Sequence, residues 1–96
     1  MKFQVIKTKE AEKEFNELSD GNRNILESDY EIIQTEGIEF VKRRPLGDGL
    51  FEIKSNDLRS LFVYQENQII LVGLIYQKDS KKAPTRMIRL AKKRLR

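Results

Sequence analysis

Residues 69–76 read IILVGLIY, and this run constrains the fold more tightly than any other part of the chain. It is almost continuously apolar, as expected of an interior strand covered on both faces rather than one. Ser55-Asn56-Asp57 and Glu66-Asn67-Gln68 are turn signals, and they divide the preceding segment into strands over Leu50–Lys54 and Leu58–Gln65. Turns this short permit only antiparallel neighbours, so the three strands form a meander. Gly73 inside the apolar run predicts a bulge or a close backbone approach.

The rest of the chain reads as helices around that sheet. Residues 2–7 form a short strand. Thr8 is placed to cap a helix over 9–18, with Ala11, Phe15 and Leu18 on one face. After a break at residues 19–22, Asp20 is expected to cap a second helix over 22–36, which Gly37 terminates. Residues 38–48 read as irregular. Gly47-Asp48-Gly49 is a turn, and with no strand–loop–helix context around it a nucleotide-binding loop is discarded. Pro84 opens a last helix over 84–95, with Met87, Ile88, Ala91 and Leu95 on one side. The order βααβββα predicts an α+β domain over residues 1–96. An N-terminal strand and an αα-hairpin pack on one face of a mainly antiparallel sheet with a three-strand meander, followed by a basic C-terminal helix.

Charge is divided unevenly. Residues 78–96 hold nine Lys/Arg and one acid, a net of +8, whereas the first 77 residues hold ten Lys/Arg and fourteen acids, a net of −4. One end of the molecule is therefore suited to a polyanion. The chain has no cysteine and no histidine. That removes thiolate metal sites and the usual general base, so neither a metal nor another cofactor is expected. No apolar run approaches the ~18 residues of a membrane span, and the N-terminus is too charged and short for a signal peptide. The expectation is a soluble, cytoplasmic protein with no membrane partner.

The segment LGDGLFEIKSNDLRSLFVYQENQIILVGLIYQKDSKKAP resembles the sheet of the RelE/ParE toxin superfamily, most closely its HigB-like, phage-derived branch. The matching elements are Gly49-Leu50-Phe51-Glu52-Ile53-Lys54, then Leu58-Arg59-Ser60-Leu61-Phe62-Val63-Tyr64, then Ile69 to Tyr76 continuing through Lys78, Ser80, Lys82 and Pro84. The chain departs from the family pattern at Val72, Tyr76, Asp79 and Ala83. The resemblance implies a RelE-like fold and a type II toxin. Such toxins are mostly ribosome-dependent endoribonucleases that cut mRNA and inhibit translation; a related branch blocks DNA gyrase without nuclease chemistry. It also implies a cognate antitoxin, often a helix-turn-helix protein, with the ribosome and mRNA as further partners.

RNA cleavage through the 2′-hydroxyl needs a base, charge stabilisation at the phosphate and an acid for the leaving oxygen. Without histidine these roles fall to Lys, Tyr, Arg and carboxylates. Arg59 is the first choice for binding the phosphate, since arginine stays charged and orients oxyanions; a salt bridge to Glu52 or Asp57 is its structural alternative. The hairpin should bring Lys54 near Arg59. Lys78 and Lys82 match the family motif as phosphate contacts or proton carriers, and Tyr76 can stack on a base or donate a proton. Lys81, Arg86, Arg89, Lys92, Lys93, Arg94 and Arg96 suit RNA phosphates.

Overall fold

The computed structural model describes residues 1–79 and 84–96. Lys81 and Lys82 lie outside the described residues. The elements are β1 (Gln4–Lys7), α1 (Lys9–Asn16), α2 (Asp20–Thr35), a 3-10 turn (Ile38–Phe40), β2 (Lys42–Gly47), β3 (Leu50–Ser55), β4 (Leu58–Gln65), β5 (Ile69–Gln77) and α3 (Pro84–Arg94). They form one five-stranded sheet in the order β1-β5-β4-β3-β2. β1 runs parallel to β5 and every other pair is antiparallel.

Three expectations are corrected. The meander has four strands, because residues 42–47 form β2 on the sheet edge. Lys-Arg-Arg-Pro carries no apolar alternation, and an edge strand exposed along nearly its whole length requires none; Pro45 is also tolerated only at such an edge. Helices cover both faces of the sheet, not one. α1 and α2 pack over Ile53, Leu58, Phe62, Ile70, Val72 and Ile75, whereas α3 seats Ala91, Met87, Ile88 and Leu95 over Leu50, Leu61 and Leu74. Finally, Ser19 rather than Asp20 caps α2, its hydroxyl accepting from the Asn22 amide; Asp20 is already the first helical residue. Thr8 caps α1 as expected, accepting from the Ala11 amide.

β5 explains how one strand serves two cores. Phe62 pairs with Val72 but Leu61 pairs with Leu74, so Gly73 is an extra, bulged residue. The bulge reverses the phase of the strand. Before it Ile70 and Val72 face α1 and α2; after it Ile75 faces them, and Leu74 and Tyr76 face the side of α3. A side chain at Gly73 has no room, since an added Cβ would lie 2.5 Å from Leu95 Cγ. Both roles inferred for this glycine, bulge and close approach, are therefore present.

β1 stops at Lys7, opposite Val72, which leaves the outer edge of β5 without a strand neighbour beyond that point. Glu14 and Arg94 cover it. The Ile75 amide donates to Glu14 at 3.0 Å, and Arg94 donates to both Glu14 oxygens at 2.9 Å and to the Gly73 carbonyl at 3.1 Å. One ion pair thus satisfies backbone groups that would otherwise be unmatched and ties α3 to α1. Among the described residues, no helix is long and apolar enough to cross a membrane.

Candidate functional site

Cross-strand register assembles the site. Lys42 pairs with Lys54, Lys54 with Arg59, and Arg59 with Tyr76. Directly paired residues share a face, so these four side chains form one row across four strands, roughly 15 Å long at ~4.8 Å per strand. The next row is Arg44, Glu52, Leu61 and Leu74. Its apolar half packs under α3 and its polar half continues the cationic end. Lys42, Arg43, Arg44, Lys54, Arg59, Lys78 and Glu52 line a concave cleft of about 180 Å³ there. Like charges placed opposite one another on neighbouring strands oppose sheet pairing. A row of three cations is therefore a local violation of strand chemistry, of the kind found where a site needs the charge.

Arg59 forms the floor of this cleft and is only 6% exposed. Its Nη1 donates to the Asn56 carbonyl at 2.7 Å and the Leu58 carbonyl at 2.9 Å, and its Nε lies 3.9 Å from Glu52 Oε2. Glu52 is 3% exposed, and its other oxygen accepts from Arg44 Nε at 2.8 Å. One buried carboxylate therefore lies between a buried arginine and an edge arginine whose side chain is 56% exposed. The structural alternative weighed for Arg59, a pairing with Glu52, is present, and it is part of the cleft rather than remote from it. Asp57 turns elsewhere: it accepts from the Gln77 side-chain amide, and its carbonyl accepts from the Lys78 amide at 2.7 Å.

Tyr76 closes the row. Burial, then the nearby Glu52 charge, raises its phenol above the usual value of 10, against the smaller opposing effect of Arg59 and Arg44. At neutral pH it is a proton donor, not a base. Lys78 follows at the end of β5 and is exposed. The cleft holds one carboxylate and several cations, and Tyr76, paired with Arg59 on the neighbouring strand, sets a proton donor beside them. That set can bind a phosphodiester, neutralise charge developing on it and protonate a leaving oxygen.

The other basic residues divide. Arg86, Arg89, Lys93 and Arg96 are exposed. Lys92 donates to Asp48 at 2.7 Å, fastening α3 to the β2–β3 turn, and holds the Asp48 carboxyl below its usual range. Arg94 is engaged with Glu14. Sequence reasoning missed Lys42, Arg44 and Glu52 as cleft residues. The signal was present in part: Lys42 and Arg44 are two apart, the spacing that puts both on one face of a strand.

The family model "Phage derived protein Gp49-like (DUF891)" matches residues 13–96. No curated protein matches in sequence. Among solved structures, the archaeal RelE–RelB complex from Pyrococcus horikoshii OT3 contains a similar chain. Its TM-score is 0.68 at 17% identity, covering 83% of this chain and 99% of that one. The toxin–antitoxin complex RelBE2 from Mycobacterium tuberculosis gives 0.67 at 14% identity, covering 81% and 100%. The isolated E. coli RelE toxin gives 0.62 at 18% identity, covering 91% and 96%. The fold is RelE-like.

Proposed function

This chain belongs to the phage-derived Gp49-like family, and from that premise we propose that it is the toxin of a toxin–antitoxin pair and acts as an mRNA endoribonuclease at the ribosome. The observation that carries this reading is the row Lys42–Lys54–Arg59–Tyr76, whose three cations line a cleft open to solvent together with Lys78. Two of the solved neighbours come from complexes, one RelE–RelB and one the toxin–antitoxin complex RelBE2, which supports a protein partner for this chain as well.

In the proposed reaction Arg59 fixes the field at the scissile phosphate from the cleft floor. Lys54 and Lys78 contact the phosphate oxygens. Tyr76 protonates the 5′-oxygen as it leaves. One of Lys54, Lys78 and Lys82, as the neutral amine, accepts the 2′-hydroxyl proton while the others stay charged at the phosphate; Lys82 enters on sequence alone. Glu52 positions Arg44 and Arg59. The step needs no metal: the 2′-oxygen attacks phosphorus, the P–O5′ bond breaks, and a 2′,3′-cyclic phosphate and a free 5′-hydroxyl result. Arg86, Arg89, Lys93 and Arg96 form the surface that meets ribosomal RNA phosphates, and Lys81 is assigned the same role on sequence alone. Lys92 and Arg94 contribute to that field while serving their internal pairs.

Transcript-end mapping after induced expression tests this. Cuts inside translated codons are expected with the native chain and none with Arg59→Ala. Intact transcripts during growth arrest would sink the nuclease reading. The burial of Arg59 against Glu52 favours one competing reading, a toxin that works by binding alone, for example by blocking gyrase. Unchanged transcripts together with a DNA-damage response would identify it.

A further inference from the structure

Phe40 is the most exposed large apolar side chain among the described residues, at 66%. It is not a stray surface residue, because it stands at the lip of a second groove of about 460 Å³. That groove runs between α2 and the β3–β4 turn, and Lys42 and Lys54 line it as well as the cationic cleft. The two depressions therefore share a rim of two lysines. Ser28, Asp29 and Asn56 line the same groove and offer a hydroxyl, a carboxylate and an amide. The Asp29 carboxylate is oriented by the Ser55 hydroxyl, which donates to it.

We propose that this groove is a nucleobase subsite. A base flanking the scissile phosphate stacks on Phe40, and its hydrogen-bonding edge meets Asp29 and Asn56. The proposal rests on the RNA-cleaving reading and deepens it by naming a position where base identity is felt. The chemistry is that of single-stranded RNA recognition, in which an unstacked base needs an aromatic face and polar groups for its edge, while its phosphate needs a cation. All three are adjacent here, with the shared lysines placed where the backbone passes from one depression to the other. Exposure of the ring is the reason to expect an occupant. Exposed apolar residues carry little meaning singly, but a solvent-facing phenyl at the mouth of a polar groove beside a phosphate-type site is matched to a flat, amphipathic ligand.

The test measures binding of a short single-stranded oligoribonucleotide to the full chain by fluorescence anisotropy. One base at a time is replaced by an abasic site. With the native chain, one position should cost about tenfold in affinity when its base is missing, the scale of a single base–aromatic stack. Phe40→Ala should erase that penalty and Phe40→Trp should keep it, with thermal unfolding confirming that both variants fold. No position-dependent penalty in the native chain, or the same penalty in Phe40→Ala, overturns the subsite. So does a Phe40→Ala variant that loses affinity for the antitoxin while its RNA profile is unchanged, since the ring then serves a protein interface. Transcript mapping separates this from the parent reading. Uncut transcripts with a Phe40-dependent penalty leave the subsite standing and remove the nuclease. Cut transcripts with a Phe40-independent profile do the reverse.

Discussion

Arg59 and Tyr76 face each other across β4 and β5, on the side of the sheet that carries the cations, because Gly73 inserts one residue into β5 between them and the strand's first half. Without the bulge, Tyr76 would share a face with Ile70 and Val72 and point toward the helical hairpin. In the proposed reaction this placement beside Arg59 makes the phenol the proton donor. Tyr76→Phe should therefore lower transcript cleavage by about 10²–10³-fold, within the range of a lost general acid. Because the phenol is raised above 10, the Tyr76-dependent part of the rate should be flat through neutral pH and fall only above pH 10. A wild-type pH profile that already falls between pH 7 and 9 and flattens in Tyr76→Phe would contradict this assignment.

Gly73 should tolerate no side chain. Its Cβ would meet Leu95 Cγ at 2.5 Å and Leu95 Cδ2 at 2.7 Å. Gly73→Ala should cost about 1–3 kcal/mol, as overpacking does elsewhere. The contact is with one side chain, so shortening that side chain should relieve it. In urea unfolding, Gly73→Ala combined with Leu95→Ala should lose less than the two single changes added together. Strict additivity would mean that the backbone, not Leu95, sets the limit.

Glu52 and Arg59 should behave as a coupled pair. Glu52→Ala leaves a buried arginine without its carboxylate and should destabilise the fold by about 3 kcal/mol, the usual scale for breaking a buried ion pair from one side. Removing both charges should recover part of that loss. Glu52→Gln retains the shape and loses the charge. If Glu52 only positions Arg44 and Arg59, this variant should lower cleavage about tenfold and leave the pH profile in place. A changed pH profile would instead make Glu52 a proton-transfer group.

These residues also mark what the sequence could disclose. Strands β3 to β5 and the three helices were legible because each buries a stripe or face, and burial writes a period into the sequence. β2 was not, because an exposed edge strand imposes no such period: Lys42, Arg44 and Pro45 answer to charge and edge protection, not packing. Glu52 was visible as a letter in a strand, but its position between two arginines depends on register with β2 and β4, which are eight and seven residues away in the chain. The meaning of Arg94 lay further off. Nothing local separates it from Lys93, yet its partner Glu14 is 80 residues distant. That Lys54 lies beside Arg59 was readable from the short turn between their strands; the second helix-covered face was not.

That contrast gives a direct comparison between neighbours. Arg94→Ala removes a two-pronged pair to a partly buried carboxylate and a bond to the Gly73 carbonyl, and should cost about 2 kcal/mol. Lys93→Ala changes an exposed residue and should stay within about 0.5 kcal/mol. RNA binding should rank them the other way. Lys93→Ala should shallow the salt dependence of affinity by about one unit of log–log slope, as expected for one lost phosphate contact. Equal melting temperatures for the two variants would show that the Glu14 clasp contributes nothing.

The hydroxyl pair at the centre of the helix–sheet interface predicts how the fold fails in alkali. Tyr30 and Ser60 are both buried and lie 2.6 Å apart, oxygen to oxygen. Burial pushes the Tyr30 phenol well above its ordinary value, with the Asp29 charge adding to the rise and the Ser60 hydrogen bond opposing it. Below pH 10 the phenol is protonated in both the folded and the unfolded chain, and this contribution to stability is fully present. Above pH 10 the unfolded chain releases the proton while the folded chain keeps it. Stability should then fall by about 1.4 kcal/mol per pH unit from this one group. Tyr30→Phe should be less stable at pH 8, since Ser60 loses its partner in a buried setting, yet its unfolding free energy should decline less steeply between pH 10 and 11.5. Parallel slopes for the two proteins over that interval would place the alkaline sensitivity in another group.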